Sequence, residues 1–310
     1  MMFNKMSYNY GYACINTELR KKKIFMSRTC RLDTYKTKGF EYVKSLCIQN
    51  LKDILTMLEW NVKNNIYFMR LSSEIFPFAS HIEYGYSIEF AKDLLEEIGD
   101  YAKLHKIRLT MHPGQYCVLS SSDERIIKNA VNDLIHHADI LNYMNCDQNS
   151  VMIIHGGGVY GNKKKALEKL KENILNLPEN VRNRLVLENC EMSYCVEDLL
   201  PISEELKIPI VLDFHHDSIY SSSQNIEYYF DRVFSVWKER GIKPKIHISN
   251  SLPDVQITDS KTMRRKHSDY IYFIHEAVDK INIEIDIMLE AKMKEQAVLE
   301  LRMLEEIINQ

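Results

Sequence analysis

Eight short runs rich in β-branched and aromatic residues alternate along this chain with eight longer segments of helical spacing, and no other feature restricts its fold as tightly. The runs fall at residues 8–16, 66–71, 107–112, 151–155, 184–188, 208–214, 244–248 and 283–290. The helical segments fall at 39–64, 88–106, 123–145, 163–177, 196–206, 225–240, 267–281 and 293–308. In the first of these, Val43, Leu46, Cys47, Leu51, Ile54, Leu55 and Leu58 recur at helical spacing and lay one apolar stripe along a helix. Asp123 and Ser193 stand at expected N-caps, and Gly241 follows the sixth helix where a C-cap glycine belongs. Strands joined through helices are parallel, because each crossover returns the chain to the side where the previous strand began. Eight such units in 310 residues suit a closed α/β barrel of the (β/α)8 TIM type better than an open doubly wound sheet. No linker rich in Pro, Gly or Ser divides the chain, so a single domain over 1–310 is expected.

Charge is informative only through its placement. The 40 Lys and Arg against 43 Asp and Glu leave a net −3. Residues 17–38 carry eight basic groups against Glu18 and Asp33, so that segment is +6 and the rest of the chain −9. A basic β1–α1 loop on an acidic body suits a polyanionic partner or is a solvated surface. Seven Cys without a CxxC pair, after an N-terminus that lacks the apolar core of a signal peptide, predict reduced thiols in an intracellular setting. No apolar run approaches a membrane span, so no membrane association is expected.

In a barrel of this kind the loops after the C-terminal ends of the strands build the site. Those positions carry His81 in PFASH, His112 in MHPGQY, His155 in IIHGGG, Glu188 in VLEN, Asp213 and His216 in LDFHH, His247 in KIHIS and Glu290 in MLEAK. Each alone is weak, since a histidine at a strand end is commonly a structural hydrogen-bonding residue. Seven consecutive strands ending this way predict a metal centre, and more than four ligands predict more than one ion. Two ions close together clamp the attacking and leaving oxygens of a phosphoryl displacement. His105, His136, His137 and His275 fall in or beside helices and read as structural or surface residues.

Lys245 and His247 lie two apart on one strand and share the interior face. Lys245 there is either an ion-pair partner or a lysine nucleophilic enough to take up CO2 as a carbamate. Gly156, Gly157 and Gly158 allow backbone to approach a phosphate or simply permit a tight turn. Neither a P-loop nor GxGxxG is present, so no nucleotide cofactor is expected.

The ordered set GYACIN, PFASH, MHPGQY, IIHGGG, VLEN, LDFHH, KIHIS, KHSDY and MLEAK, over residues 11–292, closely resembles the UV damage endonuclease family, distant relatives of the endonuclease IV type of abasic-site nuclease. The resemblance implies a TIM barrel that uses divalent metals, chiefly Mn2+, to nick DNA on the 5′ side of pyrimidine dimers and other lesions. It implies metal ligation by His81, His112, His155, Glu188, Asp213, His216, His247 and Glu290, with His267 as a further site histidine. It makes Lys245 a carboxylated lysine. It also gives Gln115 and Tyr116 as the pair pushed into the duplex, and Tyr12 and Asn16 as substrate contacts. A long polar stretch at 249–266, between His247 and His267, departs from a compact strand-to-helix connection.

The expectation is a monomeric DNA repair endonuclease with two or three divalent ions, Mn2+ or alternatively Zn2+ or Mg2+, acting on damaged double-stranded DNA. Catalysis would fall to Glu188, Lys245, His267 and Glu290. Arg264 and Arg265, with the basic runs at 20–23 and 163–165, would meet phosphates. The rivals are a metal-dependent sugar isomerase or epimerase on the same barrel, which needs neither the basic segment nor the Gln115–Tyr116 wedge, and a damage-binding module without catalysis.

Overall fold

The computed structural model describes residues 8–308. Eight parallel strands, β1 (Asn9–Ala13), β2 (Phe68–Leu71), β3 (Arg108–Met111), β4 (Met152–His155), β5 (Leu185–Glu188), β6 (Ile210–Asp213), β7 (Lys245–Ile248) and β8 (Asp286–Leu289), follow one another in chain order and close into a barrel. Almost every strand residue is buried. This is why the strands read as continuous apolar runs rather than as alternating ones. Two compact units contribute, Ala13–Val186 and the remainder of the chain.

The expected strand at 8–16 is shorter than its apolar pattern, because Asn16 leaves it to cap a helix. Its Oδ1 accepts the Leu19 N–H at 2.9 Å at the start of α1 (Thr17–Lys21). The segment expected as a basic loop at 17–38 is instead largely structured, with α2 (Leu32–Lys63) beginning inside it. That helix is broken at Gly39, whose φ of 74° a side chain would resist, so its regular part begins where the apolar stripe does. Several cations of the segment are engaged internally. Arg28 pairs with Asp53 at 2.7 Å and lies 4.1 Å from the Phe25 ring centroid, while Lys22 pairs with Glu18 at 2.9 Å. Asn50 ties the same stretch to α2, accepting the Arg28 N–H and donating to the Arg28 and Ile75 carbonyls.

Farther along lie α3 (Lys92–Leu104), α4 (Glu124–Tyr143), α5 (Lys163–Leu175) and the short α6 (Glu179–Arg182). Asp123 caps α4 as expected, accepting the Arg125 N–H at 2.8 Å. Beneath them the buried Arg184 donates to the carbonyls of Cys146, Asp147 and Ser150 and to Asn142 Oδ1. One guanidinium thus serves three carbonyls of the turn after α4 and a side-chain oxygen on that helix.

In the second unit α7 (Val196–Leu206) starts at Cys195 rather than Ser193. The Asp198 carboxylate takes the Cys195 N–H at 2.9 Å, and Cys190 to Tyr194 close as a separate turn. The expected helix at 225–240 is a 3-10 turn, Ile226–Tyr229, followed by α9 (Phe230–Glu239), with Gly241 at φ 64° as its C-terminal stop. The helix expected at 267–281 does not form beyond a 3-10 turn at Glu276–Lys280. Asn250 supplies the reason: its Oδ1 accepts the Tyr272 and Phe273 N–H groups and its Nδ2 donates to the Phe273 carbonyl. Backbone groups that would have built helical turns are satisfied by one remote amide. The unit also contains α8 (Phe214–Ile219), α10 (Lys261–Arg264) inside the polar stretch, and α11 (Glu295–Ile308). Among the described residues no helix is long and apolar enough to cross a membrane.

Candidate metal centre and nucleic-acid rim

Glu188 ends β5, Asp213 ends β6 and His247 lies near the end of β7, so three strand ends aim ligand atoms at one point. Those ligand atoms all lie within 4.8 Å of one another. His247 Nδ1 is 2.8 Å from Glu188 Oε1, 3.4 Å from Glu290 Oε1 and 3.8 Å from Asp213 Oδ2. His216 Nδ1, carried in from α8, is 3.5 Å from Asp213 Oδ2 and 3.6 Å from Glu188 Oε1. Asn189, beyond β5, clasps the end of β6 by accepting the Asp213 N–H at 2.8 Å and donating to its carbonyl at 2.9 Å. Asp213 Oδ1 accepts the His216 N–H at 2.7 Å, which aims the other carboxylate oxygen into the cluster.

The electrostatics of this group are those of a cation site. Burial pushes the Asp213 carboxyl well above its ordinary 3.8 against the pull of His216, and Glu188 and Glu290 raise it further. Burial opposes a proton on His216, but Asp213, Glu188, Glu191 and Glu290 outweigh it and push the ring up to about 10. Burial holds His247 down to about 4 despite the carboxylates, with Lys245 adding to the effect. Crowded acids therefore hold protons more tightly than they do in water, and a divalent cation competes for the same sites. Asp213 Oδ2 is buried and has no hydrogen-bond partner among the described residues. Such an oxygen is costly unless a cation or donor satisfies it, so the donor set of two carboxylates and imidazole fits a hard or borderline divalent metal. Lys245 is fully buried on the same strand, opposite Asp286 in the β7–β8 register.

In the other unit the His112 and His155 rings approach to 5.2 Å between centroids. His112 Nδ1 lies 3.0 Å from the Pro113 carbonyl and so donates to it, which leaves Nε2 as the lone-pair nitrogen. His81 is arranged in the opposite sense. It is exposed, and its Nδ1 accepts the N–H groups of Glu83 and Tyr84 at 3.1 and 3.2 Å, which puts the ring proton on Nε2. Neither ring nitrogen of His81 offers a free lone pair in this loop conformation. The glycine run after His155 is tight geometry at Gly157, where φ is 87° and a Cβ would lie 2.5 Å from Ser120 Oγ.

The remaining expected residues divide by exposure. Gln115 and Tyr116 project from the loop after β3, with Tyr116 84% exposed. Tyr12 and Asn16 are buried. Arg264 donates to the Ser218 carbonyl, and the exposed Arg265 lies 3.4 Å from Glu191. The His267 Nδ1–H donates to the Glu290 carbonyl, so this histidine fixes backbone beside a cluster carboxylate. Glu191 is a group that sequence reading passed over. Its Oε2 lies 3.8 Å from His216 Nε2, and its place in ENCEMSY, three beyond Glu188, was the available signal. Of the histidines expected in or beside helices, His137 Nδ1 bonds the Asp133 carbonyl and His275 caps a 3-10 turn.

Comparison with known proteins follows the same outline. The family model described as UV-endonuclease UvdE matches residues 8–309. A UV-damage endonuclease of Schizosaccharomyces pombe is 43% identical over 94% of this chain, which spans about half (49%) of that relative's length. A putative UV-damage endonuclease of Acanthamoeba polyphaga mimivirus is 40% identical over 96% of this chain and 91% of its own. The crystal structure of SacUVDE superposes with a TM-score of 0.85 at 31% identity, covering 97% of this chain and 99% of that one. A D-tagatose 3-epimerase-like protein, at 14% identity and a TM-score of 0.56, shares the fold alone. With the family model matched from β1 through α11, this chain belongs to the UV-endonuclease UvdE family.

Proposed function

We propose that this chain is a metal-dependent endonuclease that recognises UV photoproducts and other distorting lesions in duplex DNA and hydrolyses the phosphodiester 5′ to the lesion. The observation that carries the reading is the convergence of Glu188, Asp213 and His247, with one buried carboxylate oxygen that has no hydrogen-bond partner among the described residues. Glu188, Asp213, His216, His247 and Glu290 would hold divalent ions, with His112 and His155 adding imidazoles and His81 joining once its loop rearranges. Two or three ions, Mn2+ foremost, would supply Lewis-acid stabilisation of charge on the phosphoryl oxygens.

The protein's own groups have distinct tasks in this reading. Asn189 and the His216 N–H orient the Asp213 carboxylate, and the His267 bond to the Glu290 carbonyl holds that strand end. Lys245 either offsets the surrounding carboxylates as a buried cation or becomes a carbamate ligand. Gln115 and Tyr116 stand exposed where an amide and a ring can fill the space left by unstacked bases, a step that damage makes easier. Arg264 and Arg265 steer the phosphate backbone. The protein acts as a monomer on damaged double-stranded DNA inside the cell.

Incubation with Mn2+ and an end-labelled, UV-irradiated duplex tests this reading. The expected product is a nick immediately 5′ to the photoproduct. No lesion-dependent nicking with Mn2+, Mg2+ or Zn2+ overturns it.

A further inference from the structure

The polar stretch that leaves β7 and returns at His267 is pinched shut at its base. The Ser268 N–H donates to the Asn250 carbonyl at 2.8 Å, the Leu252 N–H to the Lys266 carbonyl at 3.2 Å, and Ser251 bridges to His267. One ring from elsewhere enters this neck. His215, on α8, is 4% exposed, and its Nε2 lies 3.0 Å from both Ser251 Oγ and the Arg264 carbonyl. A carbonyl can only accept, so Nε2 carries a proton directed at the neck. The Ser251 hydroxyl donates to the same carbonyl, and the Arg264 guanidinium donates back to the Ser218 carbonyl of α8. Arg264 is therefore held through both its backbone and its side chain by one six-residue helix.

The residue next to His215 is His216, whose ring lies 3.5 Å from Asp213 Oδ2. One turn of α8 thus grips the stretch that carries Arg264 and Arg265 and also contributes to the carboxylate cluster. The Nε2 of His215 is engaged in the neck, by Ser251 Oγ and the Arg264 carbonyl.

We infer that His215 is a positioning residue that sets the 249–266 stretch, and the arginines on it, in register with the Glu188–Asp213–His247 cluster, so that DNA gripped by the stretch meets the cluster in one alignment. This rests on the proposed nuclease reading. Losing the bond releases the neck without removing a ligand of the cluster, so substrate capture weakens and the chemistry once DNA is seated does not.

Two variants separate this role from general damage. His215→Gln places an amide nitrogen where Nε2 stands and keeps the donor. His215→Asn is as polar but its amide falls short of the neck. Steady-state nicking of a UV-irradiated duplex with Mn2+ should show KM raised about tenfold in His215→Asn with kcat within about threefold. His215→Gln should stay within about twofold of the parent on both. Amide exchange of Leu252 and Ser268, measured on the same proteins, should accelerate about tenfold or more in His215→Asn only. A loss of kcat at unchanged KM, identical behaviour of the two variants, or unaltered exchange in His215→Asn overturns the inference. If the parent protein fails to nick damaged DNA, the nuclease reading fails, while the exchange comparison still decides whether His215 pins the neck.

Discussion

Asp213→Asn should raise the stability of the protein in a chelator and lower its response to a divalent metal, two effects of opposite sign from one atom. In the parent, Asp213 Oδ1 accepts the His216 N–H at 2.7 Å while Oδ2 is buried without a hydrogen-bond partner among the described residues. Asparagine keeps the first bond and replaces the lone oxygen with an N–H donor among cluster ligand atoms that lie within 4.8 Å of one another. Relief of a buried unsatisfied acceptor is worth about 1–3 kcal/mol. At about 2–4 °C per kcal/mol for a domain of this order, the melting temperature in EDTA should rise by several degrees. Saturating metal at a hundred times its Kd stabilises by about 2.7 kcal/mol. Removal of a charged ligand should erase most of that gain. Scanning calorimetry of both proteins in EDTA and in Mn2+ reads both effects. A fall in the EDTA melting temperature with the Mn2+ increment intact would mean that Asp213 is an ordinary structural acid, and the metal assignment would be lost with it.

Other expectations follow from the same geometry. Glu290→Gln should cut nicking by at least about a hundredfold yet leave DNA retention in a gel shift largely in place, because it alters the cluster and not the exposed rim. Tyr116→Ala should leave stability within about 0.5 kcal/mol, as its ring is exposed, while the preference for damaged over intact duplex falls about tenfold in competition binding. Arg184→Met strands the Cys146 and Ser150 carbonyls and the Asn142 amide oxygen, so chemical denaturation should show a loss of about 3 kcal/mol or more. His136 is held down to about 3 by burial, His137 adding to it, so as pH falls below about 6.5 the unfolded chain takes up a proton that the folded one refuses. Stability should therefore drain away between about pH 6.5 and 3, by on the order of 5 kcal/mol at most, and His136→Met should flatten that limb of the pH profile.

Much of the site was readable because barrel topology turns chain order into spatial order. Once eight βα units are recognised, whatever follows each strand must lie at one rim, so Glu188, Asp213, His247 and Glu290 could be named before any distance was known. His136 and His137 do lie on α4, away from the strand ends, whereas His275 caps a 3-10 turn where a helix was expected. Glu191 escaped because it lies in a loop whose course depends on the Cys190–Tyr194 turn, and no periodicity describes such a turn.

The alternation of apolar runs by itself determined the barrel, its strand order and the residue types at its mouth, since burial on both faces of a parallel sheet leaves little freedom in the pattern. Tertiary structure alone decided the rest. Residues 267–275 carry a helical pattern yet stay irregular, because Asn250 satisfies their backbone from across the loop. The basic segment reads as a loop for a polyanion or for solvent, yet Arg28 pairs with Asp53 and Lys22 with Glu18. His81 has the residue type of a ligand, but two backbone N–H groups occupy its Nδ1. In each case the deciding partner is a specific hydrogen-bonding atom brought in by the fold. Sequence pattern reports the preference of a residue for its environment, not which atom will meet it there.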